Sequence, residues 1–257
     1  MKKGIIIVSF GTSYKETMEK CIESIERKVA ERFNDYKVVR AFTSNFIIKK
    51  LKERDGIQVY TIEEAMAAMK AEGIDTIYVQ PLHMIAGFEY EKVSHAVALA
   101  RHDKNMTIHL GWPLLNEEVD YERLIEAIKI RLPKTSEREG VILMGHGTTH
   151  FANACYSMLQ AKFFDVDKNI FIANVEGYPE LEHVLDKIKG YEKLTLMPLM
   201  LVAGDHAQND MAGDDEDSYK VILESEGKTV NCILEGLGEN SAVQDIFLKR
   251  IGALINE

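Results

Sequence analysis

Cysteine is scarce in this sequence, and its few cysteines are not arranged for a zinc site or for disulfide exchange. The three present, Cys21, Cys155 and Cys232, are odd in number, far apart and without any CxxC pair. Structural zinc sites and redox motifs use closely spaced cysteine pairs, so neither is indicated here. We expect reduced, mostly buried thiols in a cytoplasmic protein.

Proline is also rare, and long apolar runs are missing. The chain has five prolines in 257 residues, with no Pro-rich linker and no low-complexity segment. The apolar run near the N-terminus has about six residues, which is too short for a signal-peptide core and far too short for a membrane span. The sequence therefore predicts a closely packed protein with no export signal and no membrane segment.

Positive charge is in deficit, and the common nucleotide motifs are absent. Lysine and arginine total 31 against 41 acidic residues, which gives a net charge of −10. Nucleic acids and anionic lipids bind to basic surfaces, so neither is an expected partner. There is no GxxxxGK[ST] loop and no GxSxG elbow, and the glycines around His146 lack the third one of a dinucleotide fingerprint. Reactions driven by ATP or NAD are not expected, and neither is serine hydrolase chemistry.

The sequence does contain one pattern twice. The two pairs of matching segments, in the same order, are Gly4–Ser13 with Gly140–Thr149 and Gln80–Glu89 with Met197–His206. In each pair an apolar run leads to a glycine turn. Aligned in this way, His146 falls opposite Phe10 and His206 falls opposite Glu89. The duplication predicts two similar lobes, residues 1–125 and 126–257, with a cleft between them and the chemistry on the second. The same prediction leaves room for the last helix of the chain to pack on the first lobe.

Short runs rich in Val and Ile alternate with amphipathic stretches along the whole chain. Strands are predicted at 4–9, 37–42, 75–80, 106–110, 140–144, 169–175, 193–199 and 229–234. Helical stripes lie at 15–33, 117–131, 179–189 and 241–255. This alternation is typical of the α/β class. It predicts two doubly wound lobes, each a parallel sheet flanked by helices.

Three polar residues follow successive predicted strands of the second lobe. His146 and Glu176 are 30 residues apart, as are Glu176 and His206, which is about the length of one βα unit. The carboxyl ends of parallel strands meet at one edge of a sheet, so the three side chains can converge there. Two imidazoles and a carboxylate suit a divalent transition metal with open coordination positions, or a base and its helpers. In the first lobe, His83 lies at a strand end and Glu89 follows a glycine turn, where it is a candidate second acid or proton acceptor.

Several motifs together resemble the anaerobic cobalt chelatase family. They are Ile5–Ser13, Phe42–Ile47, Gln80–His83, Gly87–Glu91, Met144–Thr148, Asn174–Gly177 and Pro198–His206, in order along nearly the whole chain. The resemblance implies a ferrochelatase-like, two-lobed fold. It also implies an ATP-independent enzyme that inserts Co²⁺, the substrate metal, into sirohydrochlorin during anaerobic cobalamin biosynthesis. By motif, the metal-binding His, Glu and His of the family carry over onto His146, Glu176 and His206, with His146 as principal ligand and proton acceptor.

The expected partner is sirohydrochlorin or a precorrin-2-type tetrapyrrole, and no nucleotide is needed. Phe10, Ser13, Phe42, His83 and Glu89 are the predicted substrate-binding residues, with Phe10 and Phe42 as a wall for the flat macrocycle.

Two alternative functions stay open, namely insertion of Fe²⁺ or Ni²⁺ and a non-catalytic metal or tetrapyrrole carrier. The oligomeric state is also open, and a homo-oligomer is one outcome. The substrate carries many carboxylates, which an acidic protein repels unless basic residues lie locally. The candidate basic residues near first-lobe strand ends are Lys15, Arg40, Lys49 and Lys50.

Overall fold

Two four-stranded parallel sheets are present in the computed structural model of the chain, which describes residues 2–256. The first sheet contains β1 (Lys2–Ser9), β2 (Lys37–Phe42), β3 (Ile74–Pro81) and β4 (Thr107–Leu110), in the order β2-β1-β3-β4. The second contains β5 (Glu139–Gly147), β6 (Ile170–Glu176), β7 (Lys193–Pro198) and β8 (Thr229–Cys232), in the order β6-β5-β7-β8. The strand order is the same in both sheets. The predicted α/β class with two similar parallel sheets is confirmed.

Helices connect the strands and flank both sheets. The α-helices are Lys15–Thr17, Ser24–Arg32, Asn45–Asp55, Ile62–Ala71, Phe88–Ala100, Glu118–Lys129, Ala154–Val166, Glu182–Leu185, Tyr219–Ser225 and Ser241–Asn256. Shorter segments are the π-helices Met18–Glu23 and Ala207–Met211 and the 3₁₀-helices Phe151–Asn153, Asp186–Ile188 and Leu237–Glu239. Within residues 2–256, none of the helices has the length and apolarity to cross a membrane.

The stripe predicted at 15–33 is interrupted in its middle. It forms an α-turn, a π-helical segment and a second α-helix, and its apolar residues Met18, Cys21, Ile22 and Ile25 are buried as the spacing predicted. Cys21 is fully buried, whereas Cys155 and Cys232 are half-buried, and none of the three forms a disulfide.

The chain divides into two compact units. One runs to Asn116 and includes the last helix from Ser241, and the other is Glu117–Asn240. The predicted boundary at 125/126 falls inside the helix Glu118–Lys129, whose end is tied to the second unit because the Asn240 side chain donates to the Ala127 carbonyl at 2.7 Å.

The final helix is held in the first unit by side-chain hydrogen bonds. Gln244 donates to the Ser24 hydroxyl at 3.0 Å, and Arg250 donates to the Leu114 carbonyl at 3.0 Å. With the last helix assigned to the first unit, as the prediction allowed, the predicted range 126–257 differs from the second unit at its first boundary.

The same main-chain hydrogen bond is found inside each of the two units. The amide of Leu82 donates to the carbonyl of Val8 at 2.8 Å, and the amide of Leu199 donates to the carbonyl of Met144 at 2.7 Å. The turn after the central strand is also repeated, because Gly11 and Gly147 both have positive φ, +98° and +71°. The sequence duplication is thus a duplication of backbone geometry, and the residues next to these turns occupy equivalent places in their own units.

Candidate metal centre

Two histidines of the second unit lie side by side at the carboxyl edge of its sheet. His146 is the penultimate residue of β5, and His206 follows β7 directly before the π-helix Ala207–Met211. Their ring centroids are 4.8 Å apart and their planes are nearly perpendicular, at 87°. The His146 side chain is exposed, and that of His206 is 37% exposed. The pair is therefore open to a ligand from outside.

The main chain around His146 fixes the direction of its ring. Its Nδ1 lies 2.9 Å from the carbonyl oxygen of Gly147. A carbonyl only accepts hydrogen bonds, so Nδ1 is the protonated nitrogen and Nε2 keeps its lone pair. The arrangement presents Nε2 as a metal ligand or as a proton acceptor.

His206 is oriented by a carboxylate. Its Nδ1 hydrogen-bonds to Oδ2 of Asp210, one helical turn further on. A carboxylate that accepts a hydrogen bond from Nδ1 fixes the tautomer and the orientation of the ring, an arrangement common around metal-binding histidines. Asp210 is not among the site residues predicted from the sequence. The four-residue spacing from His206 was the available signal, because side chains so spaced share a helix face.

The glycines on either side of His146 are required by close packing. A Cβ atom at position 145 would lie 2.3 Å from Oδ1 of Asn174 and 2.7 Å from Cε1 of Tyr156. A Cβ atom at position 147 would lie 1.6 Å from the Glu176 carbonyl oxygen. Burial raises the pKa of Tyr156 to about 12, so this phenol is neutral at physiological pH. The main chain on both sides of His146 is thus tightly packed, and the phenol of Tyr156 that lies against it is uncharged.

Glu176 lies at the same edge of the same sheet but is not part of the histidine pair. It ends β6 and stands opposite Gly147 in the strand register, and it is exposed. In the described range 2–256, no group of three or more His, Cys, Asp and Glu side chains is close enough to hold a metal ion. The structure brings the two predicted imidazoles together and places the predicted carboxylate at the neighbouring strand end.

His83 and Glu89 of the first unit are electrostatic neighbours with unpartnered polar atoms. Both ring nitrogens of His83 and Oε2 of Glu89 are shielded from solvent and receive no hydrogen bond from residues 2–256. Burial lowers the pKa of His83 to about 4, although the nearby Glu89 carboxylate acts in the opposite direction. His83 is therefore neutral at pH 7. Oε1 of Glu89 accepts from Lys92 at 2.6 Å.

The remaining predicted residues of the first unit differ in accessibility. Phe10 is 46% exposed, but Phe42 is 1% and Ser13 is 4% exposed. The Phe42 ring fills the space that a side chain at Gly11 would need, because a Cβ atom there would lie 2.4 Å from Cδ2 of Phe42. The Ser13 carbonyl accepts from Arg54 at 2.5 Å. As a correction to the predicted wall, Phe42 supports the turn after β1 from inside and does not present its ring to a ligand.

Comparison with known proteins identifies the family to which the chain belongs. The sequence model of the cobalt chelatase (CbiK) family matches residues 3–256. This chain belongs to the cobalt chelatase family. The family predicted from the sequence motifs is therefore confirmed, and with it membership in a family of metal-chelatase enzymes.

Curated members of the cobalt chelatase family are similar to the chain over almost its whole length. The sirohydrochlorin cobaltochelatase of Salmonella typhimurium is 41% identical over 258 residues, which cover 100% of this chain and 97% of that protein. The sirohydrochlorin cobaltochelatase CbiKC of Nitratidesulfovibrio vulgaris is 34% identical over 263 residues, which cover 99% of this chain and 91% of that protein.

Solved structures of other chelatases share the fold of this cobalt chelatase family member. SirB from Bacillus subtilis with Fe³⁺ has a TM-score of 0.67 at 16% identity, covering 99% of this chain and 96% of that one. SirB from Bacillus subtilis subspecies spizizenii in complex with cobalt has a TM-score of 0.64 at 15% identity, covering 100% of this chain and 96% of that one. At these identities the likeness concerns the fold alone.

Proposed function

We propose that this chain inserts Co²⁺ into sirohydrochlorin without a nucleotide, on the anaerobic route to cobalamin, and that His146 and His206 present the ion. The observation that carries the proposal is the pair of imidazoles 4.8 Å apart at the carboxyl edge of the second sheet. Each has its Nδ1 hydrogen-bonded to a fixed acceptor, which leaves Nε2 for the metal. Membership in the cobalt chelatase family supports the choice of metal and macrocycle.

The reaction needs a weakly held ion and acceptors for two protons. Inserting a divalent ion into a tetrapyrrole removes two pyrrole N–H protons, and the ring must bend so that nitrogen lone pairs point at the metal. Two imidazole ligands leave coordination positions that water and then pyrrole nitrogens can occupy. A closed shell of protein ligands would retain the ion. An imidazole also accepts protons near neutral pH, so His146 can act as ligand and proton acceptor.

Glu176 is the proposed third ligand. Its exposed carboxylate stands one strand away from His146, and a rotation of the side chain toward the pair would complete a His, His and Glu donor set. A carboxylate that becomes a ligand only when the ion is bound suits a metal that must then be transferred to the tetrapyrrole. In the first unit, Phe10, His83 and Glu89 stay proposed substrate-binding residues, and the solvent-shielded, unpartnered Oε2 of Glu89 is a candidate proton acceptor.

The direct test is turnover without ATP. Metal-free sirohydrochlorin is mixed with Co²⁺ and catalytic amounts of the protein, and the absorbance spectrum is followed. We expect many equivalents of cobalt product for each protein. A single stoichiometric spectral change would instead identify a carrier and contradict the proposal. Parallel reactions with Fe²⁺ and Ni²⁺ test the metal, because a pair of imidazoles does not select among late divalent ions by itself.

Asp210 provides a test of the histidine pair that leaves both ligands in place. We expect Asp210→Asn to lower the affinity for Co²⁺ by about 10- to 100-fold, because the neutral amide no longer holds the Nδ1 proton of His206 as a carboxylate does. Cobalt binding is measured by calorimetry on the metal-free protein. Asp214→Asn is the matched control, since that exposed carboxylate pairs with Lys220 at 2.7 Å. Equal affinities for the two variants would contradict the role given to Asp210.

The cellular setting is part of the same proposal. The three cysteines form no disulfide, which supports a reducing compartment, so we place the reaction in the cytoplasm. Sirohydrochlorin, or a precorrin-2-type tetrapyrrole, is the proposed partner, and assembly of the chain into a homo-oligomer stays a prediction that sedimentation would test.

A further inference from the structure

Every strand of the first sheet is followed by an exposed aromatic side chain. Phe10 follows β1, Phe46 follows β2, Phe88 follows β3 and Trp112 follows β4, and these side chains are 46%, 71%, 51% and 54% exposed. Because the four strands are parallel, the four rings belong to the same edge of this sheet. Exposed apolar side chains that share one edge of a sheet are candidates for a binding surface.

A lysine side chain lies close to one of these four rings. Nζ of Lys50 lies 5.9 Å from the centroid of the Phe46 ring, within the range of a cation–π contact. Both residues belong to the helix Asn45–Asp55, whose first turn is capped by Ser44 through a hydrogen bond from the Ile47 amide at 3.3 Å. The amide groups at this helix end add partial positive charge close to Phe46.

Three of the four basic residues predicted near the first-unit strand ends interact with carboxylates of the chain itself. Lys15 is near enough to interact electrostatically with Asp55. Arg40 is occupied by Glu23 and Glu26, at 3.0 and 2.5 Å. Lys49 is 3.8 Å from Glu53. Lys50 has no ion pair with any residue in the part of the chain that the structure describes. Its charge is available to an acidic ligand, although the protein as a whole has a net charge of −10.

We infer that Phe46 and Lys50 form a subsite for a carboxylate-bearing edge of the macrocycle, with Phe46 contacting the ring system and Lys50 pairing with a side-chain carboxylate. The inference rests on the proposed function and deepens it, because it names what selects an acidic tetrapyrrole. A flat polycarboxylate needs an apolar contact beside a cation, and Phe46 with Lys50 supplies both. A tetrapyrrole with few carboxylates gains less from Lys50, so the subsite favours highly carboxylated substrates.

The protein contains its own probe for this subsite. Trp112 is the single tryptophan of the chain, and it is one of the four exposed rings at this edge. Its backbone carbonyl accepts from the buried Gln80 side chain at 3.0 Å, and its ring stacks near Tyr90 with a centroid distance of 6.2 Å. A tetrapyrrole bound at this edge is expected to quench tryptophan fluorescence, which gives a dissociation constant without any metal or turnover.

The experiment compares Lys50→Gln with Lys49→Gln in the full-length protein, titrated with metal-free sirohydrochlorin. The two variants remove the same charge from adjacent positions of one helix. We expect the dissociation constant to rise about three- to tenfold for Lys50→Gln and less than about twofold for Lys49→Gln. Lys50→Arg should restore binding, and Phe46→Ala should weaken it. The Lys50→Gln effect should shrink at high salt and with deuteroporphyrin, which carries fewer carboxylates.

Two results separate the subsite from the proposed function. If wild-type protein turns over sirohydrochlorin but Lys49→Gln and Lys50→Gln bind it equally, the subsite is overturned and the chelatase function stands. If turnover is normal but tryptophan fluorescence does not respond to the macrocycle, the first-sheet edge is not the binding surface and the subsite is again overturned. If wild-type protein neither binds nor turns over sirohydrochlorin, the proposed function fails and the subsite fails with it.

Discussion

His146→Ala is expected to lower the rate of cobalt insertion by at least about 100-fold, the scale on which a positioned proton acceptor contributes to catalysis. The substitution removes one of the two imidazoles of the pair and also the group proposed to receive a pyrrole proton. His206 keeps its hydrogen bond to Asp210 in this variant, so a weaker, single-imidazole site is left behind. The rate is measured from the absorbance of sirohydrochlorin with Co²⁺ in excess, so that weaker metal binding alone cannot account for the loss.

A histidine away from the site controls for general effects of the substitution. His102 is exposed in a turn of the first unit, where its amide donates to the Leu99 carbonyl at 3.2 Å. His102→Ala should insert cobalt at the wild-type rate. If His146→Ala retains that rate too, the ion is presented elsewhere and the metal centre proposed for the second unit must be abandoned. Unchanged thermal unfolding of His146→Ala is expected, because the side chain is exposed.

Gly147→Ala is expected to have the largest effect on stability, and it should disturb the metal centre as well. At a φ of +71° an L-residue costs about 1–2 kcal/mol relative to glycine. The added Cβ would also lie 1.6 Å from the Glu176 carbonyl oxygen, so β5 and β6 must separate where they pair. Overpacking of this kind costs about 1–3 kcal/mol more. Together these costs predict a fall in Tm of about 5–15 °C.

A second glycine separates the two costs. Gly56 has a similar φ of +67°, but nothing lies within 4 Å of the position that its Cβ would take. Gly56→Ala therefore carries the conformational cost without the collision, and its Tm should fall by about half as much or less. Cobalt affinity should drop in Gly147→Ala and stay unchanged in Gly56→Ala. An equal fall in Tm for Gly147→Ala and Gly56→Ala would show that the collision between the added Cβ and the Glu176 carbonyl is relieved at no cost in stability.

The sequence predicted those features that follow from periodicity and from strand ends. Runs of Val and Ile predicted eight strands, and all eight are present in the described residues. The convergence of His146 and His206 followed because the carboxyl ends of parallel strands share an edge. The repeated motifs also predicted two similar lobes, and the two sheets have the same strand order. These inferences need only local patterns and the geometry of parallel sheets.

Accessibility could not be predicted in the same way, as the phenylalanine that ends β2 and the one that follows it illustrate. Phe42 and Phe46 occur in one short segment, yet Phe42 is 1% and Phe46 is 71% exposed. The difference arises because the missing side chain at Gly11, distant in sequence, makes room for the Phe42 ring. The unit boundary was missed for a similar reason, since it depends on which side chains the helices Glu118–Lys129 and Ser241–Asn256 contact.

The turn that carries His146 restricts how this protein can change over evolutionary time. A side chain at position 145 or 147 would collide with neighbouring atoms, whereas the side chain at position 146 is exposed beside His206. A different side chain at position 146 is therefore presented at the same point of the same edge. The first unit has the same kind of turn, with Phe10 in the equivalent place before Gly11. A duplicated fold of this kind can acquire, lose or exchange a metal ligand by a single codon change, so metal preference can diverge while the architecture is retained.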